Sequence, residues 1–262
     1  MSNEVCELDV VEPGTILFIH GVGLAPRLFH PVMTMLSQPS AAPLRPPYRT
    51  TRPTTVLRPP GEHPAGYVAA QADALLDHLT DAHDVTLVGV SGGATIVLAA
   101  ATRNHPGVAA VAGVIAHEPL IGPLAADLHS AVAASAKILA DDPTDQAASD
   151  FVERLVGSTW RSLPSDVTDF ALAHAMAIRQ EVPGFAAYAM SPAEIAAAKV
   201  PITVTTGELS HQRRHRAASE ITQRCAARSL VIPGAAHLVH WEQPSGFAAL
   251  IADEQARWAE AA

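Results

Sequence analysis

The sequence has few cysteines, few basic residues and no long apolar run. Its 2 cysteines, Cys6 and Cys225, lie far apart in 262 residues and match no zinc-ligand spacing, so we expect two free thiols. Only 17 lysine and arginine residues stand against 26 acidic ones. The net charge of −9 therefore argues against a nucleic-acid or anionic-membrane partner. No run of about 18 apolar residues, the length of a membrane span, interrupts the chain.

Two further absences concern location and metal binding. Residues Met1–Pro13 contain four acidic residues and no basic segment, which is untypical of a secretory signal and predicts a cytoplasmic protein. His211 and His215 have a helical ligand spacing, but the interleaved arginines Arg213, Arg214 and Arg216 would repel a cation. We therefore expect neither a metal nor an organic cofactor. The acidic balance also disfavours an anionic substrate, unless this arginine-rich stretch lies beside the site.

Short apolar segments alternate with helical ones along most of the chain. This alternation predicts an α/β fold, with a mostly parallel sheet and helices on both faces. The expected strands are 16–19, 54–58, 85–88, 111–116, 202–206 and 230–232. The expected helices of the α/β part are 27–36, 65–81, 94–104 and 244–258.

Residues 119–200 interrupt the alternation. They contain Ala-rich helical segments and no convincing strand. Prolines at 143, 164, 183 and 192 separate the segments. The expected helices are 124–140, 144–157, 165–181 and 191–198. We therefore predict one α/β domain, formed by 1–118 and 201–262, with a helical insert at 119–200.

The strongest chemical motif is Gly89-Val-Ser-Gly-Gly93, which follows an apolar strand and precedes a helix. A serine at a sharp strand-to-helix turn needs small neighbours on both sides, and the turn exposes its hydroxyl above the sheet. Ser91 is therefore the candidate nucleophile. A serine nucleophile also needs oriented N–H donors where negative charge develops. Gly92 N–H is one candidate, and Val22 N–H, in the loop after the first strand, is the other.

The candidate base lies in the loop after the last strand. His237 follows Gly234-Ala-Ala236, and a neutral imidazole there could take the serine proton and return it to the leaving group. His240 is the competing histidine, but it is expected to pack near Trp241 at the start of the last helix.

This set of motifs resembles the α/β-hydrolase fold family over nearly the whole chain. The resemblance rests on the His20-Gly21 loop, the serine turn, the helical insert and the histidine before Glu242-Gln-Pro244. It implies that Ser91 is the nucleophile, that His237 is the base, and that residues 119–200 form a cap. It also implies a site at the C-terminal ends of the strands.

The triad acid departs from the usual pattern. The family commonly places it three residues after the glycine that follows the penultimate strand, and Ser210 occupies that position here. Glu118, at the end of the strand before the insert, and Glu208 are the alternatives; a third is that no acid exists. We favour Glu118, since a carboxylate at that rim is costly unless paired, and some family members, including certain haloalkane dehalogenases, resemble this arrangement.

The resulting hypothesis is a serine hydrolase that cleaves a small or medium apolar ester, thioester or lactone through an acyl-enzyme. The alternatives are a C–C bond hydrolase or lyase on the same triad, and a non-catalytic ligand-binding protein. A serine nucleophile argues against dehalogenase and epoxide hydrolase chemistry, which resemble this architecture but use an aspartate. The expected partner is a small-molecule substrate, and the sequence does not define the oligomeric state.

Overall fold

The computed structural model describes residues 11–36, 48–50, 64–121, 126–225 and 227–261, with residues 48–50 described by their backbone alone. Within these ranges, six strands form one sheet in the order β2-β1-β3-β4-β5-β6, and every neighbouring pair is parallel. The strands are β1 (Ile16–Ile19), β2 (Tyr48–Thr50), β3 (Val85–Val90), β4 (Val111–His117), β5 (Ile202–Gly207) and β6 (Arg228–Ile232). The predicted parallel α/β fold is confirmed. The predicted strand Thr54–Arg58 lies outside the described residues.

Helices cover both faces of the sheet. Those of the α/β part are α1 (His30–Leu36), α2 (Tyr67–Asp77), α3 (Gly92–Ala101), α9 (Gln212–Arg224), α10 (Val239–Glu242) and α11 (Pro244–Ala261). The alternation of strand side chains explains the two layers. In β1, Ile16 and Phe18 join the core beneath α1 and α11, whereas Leu17 and Ile19 join the core beneath α2 and α3.

Between β4 and β5, the described residues form five further helices. They are α4 (Ala126–Asp141), α5 (Asp145–Val156), α6 (Ser165–Ala173), α7 (Ala175–Ala187) and α8 (Pro192–Ala196). Helix α7 packs against α4 and α5 and also against α2 of the α/β part. This contact attaches the helical segment to one side of the sheet.

Two predicted helix boundaries in this segment are wrong. The single helix expected at 165–181 breaks at His174, whose backbone leaves the helical region (φ −112°, ψ 21°). The following helix then continues through Pro183, where we expected an end. Packing of α7 against three helices overrides the local proline signal, because tertiary contacts supply most of a helix's stability.

Helix α9 was not predicted at all. Its first turn consists of Gln212, Arg213, Arg214 and His215, and only Ala217, Ala218 and Ile221 are buried. The helix is strongly polar and its apolar face consists of these three residues alone, so its helical spacing is easily overlooked. Of the helices that the structure describes, none is long and apolar enough to cross a membrane.

Candidate active site

Ser91 occupies a strained turn between β3 and α3. Its backbone angles (φ 57°, ψ −121°) lie in a region that residues with a side chain rarely adopt. The two flanking glycines make this turn possible. A Cβ on Gly93 would lie 2.0 Å from the carbonyl oxygen of Ile19, and one on Gly89 would lie 2.4 Å from that of Gly93. Both positions therefore need glycine, because a side chain there would collide with neighbouring backbone atoms.

Hydrogen bonds hold this turn against the neighbouring strand end. Ser91 N–H donates to the carbonyl of His117 over 2.9 Å. One turn into α3, the hydroxyl of Thr95 donates to the carbonyl of Leu120 over 3.1 Å and accepts from the Leu120 N–H over 2.9 Å. These bonds place the end of β4 and its following residues directly beside the serine.

The loop after β1 forms the other wall. A Cβ on Gly21 would lie 3.0 Å from Cβ of Ser91, and one on Gly92 would lie 3.1 Å from Cγ2 of Val22, so the loop and the turn are in contact. Within the described residues, the backbone N–H groups of Val22 and Gly92 have no hydrogen-bond acceptor. Both predicted donors are therefore free to bind an external oxygen.

His237 contacts a buried carboxylate. Its Nδ1 lies 2.7 Å from Oε2 of Glu118, and both side chains are almost fully buried. Glu118 follows β4 directly and has a positive φ of 52°. The other carboxylate oxygen, Oε1, accepts the N–H of Gly207 at the end of β5 over 3.1 Å. The structure thus brings together Glu118 and His237, which lie 119 residues apart in the chain.

A buried cation also faces this carboxylate. Nε of Arg214, in the first turn of α9, lies 3.1 Å from Oε2 of Glu118. Burial alone would raise the pKa of Glu118, but His117, the hydrogen bond from His237 and the charge of Arg214 outweigh it, so the net pKa lies well below its usual value. These surroundings therefore favour the ionised form of Glu118.

The same surroundings keep His237 neutral. Burial and the charge of Arg214 lower the pKa of His237 to about 4, although Glu118 opposes them. Because Glu118 is ionised, the proton of the neutral ring lies on Nδ1 and the lone pair on Nε2. Nε2 is buried and has no hydrogen-bond partner among the described residues. It is available to accept a proton.

The competing histidine has different surroundings. The ring of His240 stacks on Phe29, with centroids 4.4 Å apart, and burial lowers the pKa of His240 well below its ordinary value. Neither ring nitrogen has a hydrogen-bond partner in the described part of the chain. His240 therefore packs as a neutral aromatic ring against Phe29, and it lies in the short helix α10 rather than at the start of the last helix.

The alternative acid does not reach the histidine. Glu208 is exposed, and its Oε2 accepts the backbone N–H of Gly234 over 2.8 Å. Ser210, at the position where an acid is usual, has a buried hydroxyl with no hydrogen-bond partner among the described residues. Of the acidic side chains considered, only Glu118 contacts His237 within the described ranges.

Glu242 holds the loop that carries His237, a role that we did not predict from the sequence. Its Oε2 accepts the N–H of Ala236 over 2.6 Å, and its Oε1 accepts the hydroxyl of Thr159 over 2.5 Å. One carboxylate thus links the histidine loop to the helical segment. The glutamate was visible in the Glu242-Gln-Pro244 motif, but its partner at Thr159 lies 83 residues away.

A narrow pocket opens at Ser91, with about 400 Å³ of empty space that is partly open to solvent. Among the described residues that line it, Ser91, Glu118 and Arg214 have polar side chains and the others are apolar. The helical segment supplies most of the apolar side chains, which are Leu128, Val132, Phe151, Leu155, Val182 and Phe185. No group of three or more histidine, cysteine or acidic side chains in the described part of the chain could hold a metal ion.

The comparisons with known proteins agree with this architecture. The profile of the alpha/beta hydrolase family matches residues 16–250, and the chain belongs to this family. The predicted α/β-hydrolase is thereby confirmed. No curated protein sequence matches the chain significantly.

Three solved structures show how widely the fold is shared. MenH from S. aureus is 18% identical, with a TM-score of 0.66 over 95% of this chain and 96% of that one. Bromoperoxidase from Bacillus anthracis is 14% identical, with a TM-score of 0.67 over 95% and 92%. Carboxylesterase CesB from Bacillus subtilis is 16% identical, with a TM-score of 0.59 over 92% and 82%. At these identities the likeness concerns the fold.

Proposed function

We propose that this protein is a serine hydrolase that cleaves small to medium carboxylic esters, thioesters or lactones through an acyl-enzyme. The observation that carries the proposal is that neighbouring strand ends bring the strained Ser91 beside a buried carboxylate that holds His237. Ser91 N–H donates to the carbonyl of His117, and the next residue, Glu118, contacts His237. The family of the chain and the carboxylesterase among its structural relatives are consistent with this class of substrate.

The first half of the reaction forms the acyl-enzyme. Oγ of Ser91 attacks the substrate carbonyl carbon while Nε2 of His237 accepts the hydroxyl proton. Glu118, hydrogen-bonded to Nδ1, stabilises the imidazolium that results. The free N–H groups of Val22 and Gly92 donate to the oxyanion. The intermediate collapses when His237 returns the proton to the leaving oxygen or sulfur. The alcohol or thiol then departs, or in a lactone stays attached to the acyl chain as a hydroxyl, and an ester remains on Ser91.

The second half releases the acid. Water attacks the acyl carbon, and Nε2 of His237 takes one of its protons. The second tetrahedral intermediate breaks its bond to Oγ of Ser91, and His237 returns the proton to that oxygen. The products are the carboxylic acid and the original enzyme, and neither half needs a metal or an organic cofactor.

We further propose that residues 119–200 act as a cap over the site. In support, α4, α5 and α7 supply the apolar part of the pocket lining, and α7 is attached to α2. The narrowness of the pocket favours short or slender acyl chains. A series of p-nitrophenyl esters of increasing length should therefore show a maximum of kcat/KM followed by a decline.

Labelling with a fluorophosphonate tests the nucleophile. We expect one probe per molecule by intact mass, and no labelling of Ser91→Ala. Ser210→Ala is the matched control, since that hydroxyl is buried after β5, and it should label like the wild type. An unlabelled wild type at any pH would contradict the proposal and favour ligand binding without turnover. Cleavage of β-diketones but not of esters would favour the C–C bond hydrolase.

A further inference from the structure

Arg214 combines burial, charge and a position in the pocket wall. Its side chain is 10% exposed, and it lines the same pocket as Ser91. Nε lies 3.1 Å from the carboxylate of Glu118. Removal of a guanidinium from water is costly unless its donors are satisfied. No nitrogen of Arg214 is both fully buried and unpartnered, so those of its N–H groups that do not face Glu118 keep access to the pocket.

Most of the donors of Arg214 remain unused. A guanidinium carries five N–H donors in a planar fork, and one of them faces Glu118. The two Nη groups have no hydrogen-bond acceptor in the described part of the chain. The other described residues of the pocket lining, apart from Ser91 and Glu118, are apolar. Among the described residues of the wall, no side chain accepts a hydrogen bond from these four N–H groups.

The helix that carries Arg214 makes the local potential more positive. The first turn of α9 contains Arg213, Arg214 and no acidic residue. The N-terminus of a helix already bears partial positive charge, so cations there are unfavourable by themselves. Arg216 is paired with Asp127, whereas Arg213 has no ion pair among the described residues. An anion at this end of the pocket would offset the clustered charge.

We propose that the Nη groups of Arg214 bind a carboxylate carried by the substrate, so that the preferred substrates are carboxylate-bearing esters. The inference rests on the proposed function and specifies its substrate class. The fork of a guanidinium matches a carboxylate with two parallel hydrogen bonds. Glu118 keeps its contact with Nε, and the apolar wall accommodates the chain that links the two functional groups. Although the chain as a whole is acidic, the pocket itself contains a cation, Arg214.

Two pairs of shape-matched esters test this proposal. Monomethyl succinate is compared with methyl 4-methylpentanoate, in which an isopropyl group replaces the carboxylate on the acyl side. Acetoxyacetate is compared with isobutyl acetate, in which an isopropyl group replaces the carboxylate on the alcohol side of the ester. We expect the wild type to prefer the carboxylate in one pair by about 10- to 100-fold in kcat/KM, the range of a charge-assisted hydrogen-bonded pair.

The variants separate recognition from general damage. Arg214→Gln should abolish the preference, so that the ratio within the pair falls to about one or below, whatever its overall activity. Arg214→Lys keeps the charge but not the fork, and it should retain part of the ratio. Arg213→Gln, on the exposed neighbour, should leave the ratio unchanged. A wild type that prefers the neutral ester in both pairs, or an Arg214→Gln variant that keeps the ratio, would overturn the proposal.

Binding to Ser91→Ala gives a readout that is independent of turnover. Calorimetric titration with each ester should show the same preference, and the additional change Arg214→Gln should remove it. If the preference in binding is present but no ester is cleaved by the wild type, carboxylate recognition stands and the proposed hydrolase activity falls. If neutral esters are cleaved with no preference in either assay, the hydrolase activity stands and the role of Arg214 falls.

Discussion

Two glutamates lie at neighbouring strand ends of the same sheet and have very different surroundings. Glu118, after β4, is buried and contacts His237, Arg214 and the N–H of Gly207. Glu208, after β5, is exposed and accepts one backbone N–H, from Gly234. Both are hydrogen-bonded, so a bond alone does not distinguish them. The difference lies in burial and in the charged groups that face the carboxylate, and it predicts unequal consequences when either charge is removed.

The largest expected effect is on catalysis by Glu118→Gln. We expect kcat to fall by roughly 10³- to 10⁴-fold, because a neutral amide cannot stabilise the imidazolium and can hold the wrong ring tautomer. KM should change little, since the acid acts mainly in the transition state. Steady-state kinetics on a p-nitrophenyl ester measure both, with circular dichroism to verify that the variant is folded. Activity within tenfold of the wild type would contradict the assignment.

The second effect is on stability. Glu118→Gln leaves the buried guanidinium of Arg214 without its anion, which should lower the free energy of unfolding by about 3–5 kcal/mol. The double variant Glu118→Gln/Arg214→Gln should recover part of this loss, since no buried charge then remains unpaired. Urea midpoints of the three variants and the wild type measure the coupling. If the stability loss of the double variant equals the sum of the losses of the two single variants, Glu118 and Arg214 do not interact.

The third effect is on the pH profile. Since the pKa of His237 is lowered to about 4, its ring is neutral and competent at pH 5, and kcat/KM should fall only as pH drops through about 4. The charge of Arg214 contributes to that lowering, so Arg214→Gln should move the acid limb to higher pH. Arg213→Gln serves as the control and should not move it. An acid limb near 6.5 in the wild type would contradict the buried, cation-facing environment of the base.

The smallest effect belongs to the other glutamate. Glu208→Gln removes an exposed charge and keeps an oxygen that can accept the N–H of Gly234. We expect kcat within about twofold and a stability change within about 0.5 kcal/mol, as for most surface substitutions. The same kinetic and urea measurements apply. A loss of kcat or of stability as large as that of Glu118→Gln would contradict the difference that we infer between the two glutamates.

The sequence permitted prediction of those parts of the site that depend on local backbone demands. The turn at Ser91 was predictable because its glycines avoid collisions with backbone atoms of the same strand-turn-helix unit and of the adjoining strand. Glu118 was favoured because a carboxylate at the end of an apolar strand needs a partner. The choice between Glu118 and Glu208 stayed open, since the distance of either from His237 depends on how β4, β5 and β6 are paired.

What the sequence did not yield depends on tertiary packing. Helix α9 has an apolar face of only three buried residues, two of them alanines, so neither its existence nor the direction of Arg214 into the pocket was evident from the sequence. The passage of α7 through Pro183 likewise reflects packing against other helices, and the break at His174 has no proline or glycine beside it that would have marked it in the sequence. The parallel sheet itself was predictable because buried strands of β-branched residues alternate with helices.

The central claim is that Glu118, and not Glu208, holds the proton-bearing Nδ1 of His237. Proton NMR of the protein in water tests it directly, because an imidazole N–H bonded to a buried carboxylate gives a strongly downfield-shifted resonance. We predict such a resonance in the wild type and in Glu208→Gln, and its loss in Glu118→Gln and His237→Ala. A resonance that survives in Glu118→Gln and disappears in Glu208→Gln would contradict the account.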